Sequence, residues 1–135
     1  MAVFVLKDAS VTINAIDLSS YVTQITLDYK FDAVETTAMG SNGHTFTGGL
    51  QNNQVQINFN QDFAASKVAA TLDALAGTTT TIVVKPTSAA TSATNPTYTI
   101  STAYCEGTQP VNGSVGDLAA MQWTATGGTL VKATS

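Results

Sequence analysis

Between Asn53 and Pro86 the hydrophobic period of this chain changes twice, and few architectures accommodate that over so short a stretch. Gln54 to Asn60 alternates, with Val55, Ile57 and Phe59 on one side and Gln54, Gln56, Asn58 and Asn60 on the other. A period of two marks a strand with one face in a core and one polar face. The following residues switch to helical spacing, placing Ala65, Val68, Ala69, Leu72, Leu75 and Ala76 on one stripe. Asp62 stands at the N-cap position and Gly77 where a left-handed C-cap residue belongs. Thr80 to Lys85 then returns to a β-rich run, stopped by Pro86. One short helix set between strands predicts a mainly β fold, a sandwich or barrel with one flanking helix.

The rest of the chain agrees with that class. Val3–Lys7 is a short apolar run, either a first strand or an arm packed on something else, and Val11 to Ala15 alternates. Asp17 to Val22 reads as one helical turn with Asp17 as its local cap. From Gln24 onwards Ile25, Leu27, Tyr29 and Phe31 share one face, opposite Thr26, Asp28, Lys30 and Asp32. The alternation fades through Ala33–Met39, Gly40-Ser41-Asn42-Gly43 signals a turn, and the chain returns past Gly48-Gly49. Gln24–Asn60 is therefore read as a long hairpin whose tip, about residues 35–49, has little to bury on its own subunit. Pro86–Thr97 is a low-complexity loop, and Thr97–Cys105 alternates with Tyr98, Ile100, Thr102 and Tyr104 on one side. Glu106–Asp117 is rich in turn formers, Leu118–Thr126 is a strand with Met121 and Trp123 inward, and Thr129–Ala133 is a last edge strand or tail.

Composition bounds the function classes. At 135 residues the chain is expected to be a single domain, 1–135, with a core of its own. Its net charge is −4, and all five basic residues are lysines: Lys7, Lys30, Lys67, Lys85 and Lys132. Without arginine, and with the lysines scattered, the chain has no basic stripe to grip nucleic acid. The lone Cys105 forms no internal disulfide, and the first residues lack the basic and apolar regions of a secretion signal. Folding in a reducing compartment and no membrane insertion are expected.

Chemistry is sparse. His44, the only histidine, lies in a glycine-flanked loop far from Cys105, whose thiol is expected to be raised by the adjacent Glu106. No serine sits in a G-x-S-x-G elbow, and metal-ligand spacings are absent. Asp28 and Asp32 would lie about 13 Å apart along a strand, too far for a paired carboxylate mechanism. The residues carry no enzyme signature and call for no cofactor or metal.

Three stretches resemble the major tail (tail tube) proteins of long-tailed bacteriophages. They are IDLSSYVTQITLDYKFDAVETTAMGSNGHTFTGGLQNNQVQINFN from Ile16, QDFAASKVAATLDALAGTTTTIVVKPTSAATSATNPTYT from Gln61, and PVNGSVGDLAAMQWTATGGTLVKAT from Pro110. The D-L-S turn, the long hairpin with its T-A-M-G tip and the P-V-N-G-S-V-G-D stretch match as an ordered set. The resemblance implies a β-sandwich with a flanking helix, six copies closing into a ring walled by β-structure, and rings stacking into a hollow tube in the virion tail, assembled in the host cytoplasm. It further implies passage of double-stranded DNA without sequence-specific binding, and partners in a tape-measure protein, a tail terminator and tail tip proteins.

On that reading Thr26, Asp28, Lys30, Asp32, Gln54, Gln56, Asn58 and Asn60 face the lumen. Glu35, Thr36, Thr37, Met39, His44 and Phe46 on the hairpin tip contact neighbouring subunits. An acidic, arginine-free wall suits DNA that must slide without sticking, although Lys30 interrupts the negative lining. A capsid decoration protein or a tail terminator is the alternative, since either would be all-β and catalytically empty.

Overall fold

The structure is a computed structural model that describes residues 5–65 and 67–134. In chain order its elements are β1 (Ser10–Ile13), β2 (Ile16–Asp17), a 3-10 turn (Ser19–Tyr21), β3 (Val22–Asp28), β4 (Phe31–Glu35) and β5 (Phe46–Gln51). These are followed by β6 (Gln54–Asn60), α1 (Val68–Asp73), β7 (Thr79–Lys85), β8 (Thr97–Thr108), β9 (Ala120–Thr126) and β10 (Thr129–Ala133). Residues 5–7 of the predicted first segment are not in a strand, and Val3 and Phe4 lie outside the described residues. The alternation expected to reach Ala15 stops at Ile13. Asn14 and Ala15 take φ of 52° and 65°, the left-handed pair that closes a two-residue hairpin onto β2.

The main sheet has the order β2-β1-β7-β8-β9-β6-β3, with β10 also paired to β8, and every pairing is antiparallel. The long β8 carries the corner of the fold. Its first half pairs with β10 and its second half with β9. Between them Thr102 has a φ of 55°, opposite a register shift between Thr80 and Ile82 of β7. The extra residue of such a bulge exchanges the faces of the strand. Ile100 is buried before it, and Ala103 and Cys105 after it. The sequence alternation therefore holds through Ile100 and inverts beyond, leaving Tyr104 exposed. The neighbouring chain bends at the same place through Gly127 and Gly128. A Cβ on Gly128 would lie 2.4 Å from the Ser101 carbonyl oxygen, so only glycine fits there.

Two layers meet across this corner. Val11, Ile13, Ile82, Ile100 and Leu130 from one layer join Val55, Ile57, Phe59, Met121, Trp123 and Cys105 from the other in one buried cluster. The fold is mainly β, a sandwich with one flanking helix, as the sequence predicted. The helix is shorter than its stripe. Val68, Ala69 and Leu72 are buried and Leu75 partly so, while Ala65 and Ala76 are exposed. Asp62 does not cap α1, since Lys67 occupies the N-cap position. Its Oδ1 accepts from Ala64 N at 2.9 Å, and its carbonyl accepts from Ala69 N at 3.1 Å. Downstream, Gly77 N donates to Cys105 O, and Cys105 N donates to Thr78 O, both at 2.9 Å. Capture of the chain by β8 ends the helical path before Gly77.

The 86–96 loop is organised by buried Asn95. Its Nδ2 donates to the carbonyls of Ala89 and Ala90, and its Oδ1 accepts from Thr87 N. The remaining strands, β4 and β5, form a separate two-stranded sheet.

Candidate assembly interface

Three surfaces need explanation: a polar wall, an arm at one end of it, and an apolar groove at the other. The wall is the outer face of β3, β6, β9 and the second half of β8. Residues directly opposite in an antiparallel pair point to the same face. Gln24, Thr26 and Asp28 stand opposite Asn58, Gln56 and Gln54, and those in turn opposite Gln122, Thr124 and Thr126. Asn58 Nδ2 donates to Gln24 Oε1 at 3.1 Å, and Thr126 Oγ1 donates to Glu106 Oε1 at 2.6 Å. The structure thus brings together Thr26, Asp28, Gln54, Gln56, Asn58 and Asn60 of the lumen candidates.

Lys30 and Asp32 do not join them, because β3 ends at Asp28 and Asp32 belongs to the separate sheet. The singled-out set also omitted Gln122, Thr124, Thr126 and Glu106. The first three were legible as the polar partners of Met121 and Trp123 in the alternation of β9. With Lys30 removed, the charged side chains grouped on the wall are Asp28 and Glu106, both acidic.

The break between β3 and β4 has a definite cause. Asn53 is fully buried at the root of the arm. Its Oδ1 accepts from Lys30 N at 3.4 Å, and its Nδ2 donates to Gln51 Oε1 at 2.8 Å and to Gly128 O at 3.3 Å. Its carbonyl accepts from Gly127 N at 2.8 Å, and Gln51 Oε1 also accepts from Leu130 N at 2.8 Å. One asparagine therefore ties the arm to the glycine corner of the main sheet.

Beyond the root, every residue from Tyr29 to Gly48 is exposed. Ala33, Val34 and Glu35 pair with Gly48, Thr47 and Phe46, and Thr36 N donates to Thr45 O at 2.8 Å. At the tip Glu35 Oε2 accepts from Thr37 Oγ1 and faces His44 Nδ1, while Thr37 Oγ1 accepts from Thr45 N. All six inter-subunit candidates, Glu35, Thr36, Thr37, Met39, His44 and Phe46, lie together here. Met39 is 103% exposed, and Phe31, Val34, Phe46 and Leu50 are also uncovered. A lone two-stranded sheet is marginal in water. This one spends its apolar residues on solvent.

At the far end of β6, Gln61 Nε2 donates to Pro110 O at 2.7 Å, and Gln61 N donates to Ala119 O at 3.1 Å. These bonds hold the 109–119 segment beside Phe63 and form a shallow groove in which Phe63, Pro110 and Val111 stand beside Asn112, Ser114 and Asp117. Phe63, Val111, Val115 and Leu118 are all exposed, Val115 at 107%. From sequence this segment is expected to be turns through Asp117, with Leu118 already in a strand. β9 begins only at Ala120.

Reactive groups are not assembled. Cys105 is buried in β8, and burial itself pushes its thiol pKa up; Glu106 points to the opposite face, so it is not the cause expected from sequence. His44 sits on the arm tip, apart from the core that holds Cys105. Among the described residues no group of three or more His, Cys, Asp or Glu could hold a metal ion, and no helix is long and apolar enough to cross a membrane.

No family model matches this chain, and no curated protein does. Solved structures do. A sheath/tube terminator of an extracellular contractile injection system (PVC), in its extended state, aligns with a TM-score of 0.73 at 12% identity over 98% of this chain and 97% of its own. A component of the virion of a native gene transfer agent particle aligns at 0.71, with 10% identity over 93% and 95%. The tube-terminating cap of the anti-feeding prophage aligns at 0.67, with 13% identity over 100% and 95%. At such identities the likeness is one of fold. This chain is a β-sandwich with one flanking helix, in the fold found in those tail-like particles.

Proposed function

We propose that this chain is the structural subunit of a phage tail tube, closing as hexameric rings that stack into a hollow conduit for double-stranded DNA. The observation that carries this reading is the arm. It exposes Phe31, Val34, Met39, Phe46 and Leu50 on a sheet with no core of its own, anchored by a buried asparagine rather than left loose. A monomer gains nothing from holding apolar residues in water this way; an assembling subunit does. The wall supports the same reading. Its glutamines, asparagines and threonines offer a wet surface, and Asp28 and Glu106 repel phosphate weakly enough for DNA to pass without binding.

In this role the protein is not an enzyme. Its partners are further copies of itself, the tape-measure protein, the tail terminator and the tail tip proteins, and its location is the virion tail after assembly in the host cytoplasm.

Electron microscopy of the purified protein at rising concentration tests this, alongside sedimentation. Hollow tubes or six-fold rings are expected. A protein that stays monomeric at every concentration with its arm ordered would overturn the proposal, and trimers that bind empty capsids would favour a decoration protein instead. A terminator is the second reading, favoured by the likeness to terminator folds; it would form a single ring that never stacks. Against it, apolar surface is exposed at both ends of the wall, whereas a ring that ends a tube needs only one adhesive end.

A further inference from the structure

We infer that the groove formed by Phe63 and the 109–119 segment is the socket for the hairpin arm of a second copy of this chain, so that rings stack head to tail through one arm–socket contact per subunit. The inference rests on the tube reading and adds to it the receiving surface.

The argument begins with β6. The arm leaves the sheet where β6 starts, at Gln54, and the groove sits where β6 finishes, at Asn60. Seven residues of strand separate them, about 20 Å at the usual rise. β9, which pairs with β6 along its whole length, repeats the placement. Thr126 lies opposite Gln54 beside the arm root, and Ala120 lies opposite Asn60 beside the groove. The two apolar surfaces therefore occupy opposite ends of one wall. They are different surfaces, so mutual contact between copies is heterologous and leaves one arm and one groove free at the ends of any stack. Such a contact repeats along the strand direction without limit.

The two surfaces match in chemistry. Met39 and Phe46 are the flexible and aromatic anchors that fill pockets at interfaces, and the groove presents Phe63, Pro110 and Val111 with a backbone held open by Gln61. Gly113 has a φ of 153°, and the segment keeps its shape through the pairing of Asn112 with Ala120. The groove is thus a formed surface before any partner arrives.

The test pairs Met39→Cys with Val111→Cys in one chain, leaving Cys105 in its core. After mild oxidation of assembled protein, a ladder of covalent dimers, trimers and longer chains is expected in denaturing gels, from the double variant only. Tubes visible in the same sample without any ladder would overturn the socket while leaving the tube reading intact. Loss of both tubes and ladder, with the unsubstituted protein also failing to polymerise, would overturn both.

A second pair of variants covers the case in which the cysteines perturb packing. Phe46→Asp blocks the arm and Val111→Asp blocks the groove, and each alone should abolish tubes. Mixed together they should form two-ring stacks and nothing longer. Tubes of normal length from Val111→Asp alone would contradict the inference.

Discussion

Asn53 shows how one side chain can fix where an arm leaves a sheet. It is a buried polar residue whose amide is occupied on both sides, joining the arm root to the glycine corner. Replacing it with alanine strands the carbonyl of Gly128 and loosens the amide of Lys30. Asn53→Ala is expected to lower stability by about 2–3 kcal/mol in urea unfolding, whereas Lys30→Ala, exposed, should change it by no more than about 0.5 kcal/mol. Equal effects of the two would mean that the joint is not where the arm is held.

Asp17 supplies a pH signature. The Ser19 hydroxyl and then the Ser19 amide hydrogen-bond its carboxylate, and with a smaller contribution from Lys85 they hold its pKa below the ordinary 3.8. A depressed carboxylate contributes stability that is present above its unfolded value and lost as pH falls through its folded one. The melting-temperature gap between the protein and Asp17→Asn should therefore be full above about pH 4 and close on further acidification. A gap that stays constant down to acid pH would show that the charge plays no part.

At the scale of elements, the sequence was most legible where one period ran unbroken. The two faces of β6 and β9 and the strand β7 could be read from alternation. The helical turn was also legible, although its N-cap is Leu18, with Asp17 ending β2 and accepting from Ser19 N. Legibility failed at three joints, each for a physical reason. Thr102 adopts a left-handed backbone that nothing in its side chain announces, so the parity of β8 inverted unseen. The hairpin of Gln24–Asn60 was read as continuous because Tyr29 and Phe31 keep the alternation, whereas hydrogen bonds from Asn53, distant in sequence, divide it into a wall and an arm. Val111 of the groove, and Val115 and Leu118 of the same segment, sit among turn formers, where isolated apolar residues have no period to read.

The arm's independence from the core gives its own prediction. Deleting residues 36–47 removes Met39, His44 and Phe46 but none of the buried cluster. Polymerisation should be abolished, with circular dichroism and cooperative melting of the monomer retained. Loss of the folded monomer would show that the arm supports the sandwich after all.

Taken as a whole molecule, the chain joins a sandwich core to two exposed apolar surfaces that the proposed assembly would cover. Without Lys30 the wall is a surface of amides and hydroxyls with Asp28 and Glu106 as its acidic residues, more uniform than the strand periodicity implied. Arm and groove at opposite ends give the subunit a polarity, which a stack of rings requires and a decoration protein does not. That the wall faces the channel of the proposed tube is the claim on which the rest depends. Reconstruction by electron microscopy of tubes formed from Gln56→Cys labelled with a gold cluster tests it directly. The account predicts label density inside the channel, on the wall formed by β3, β6, β9 and β8. Label on the outer surface of the tube, with the flanking helix innermost, would contradict it.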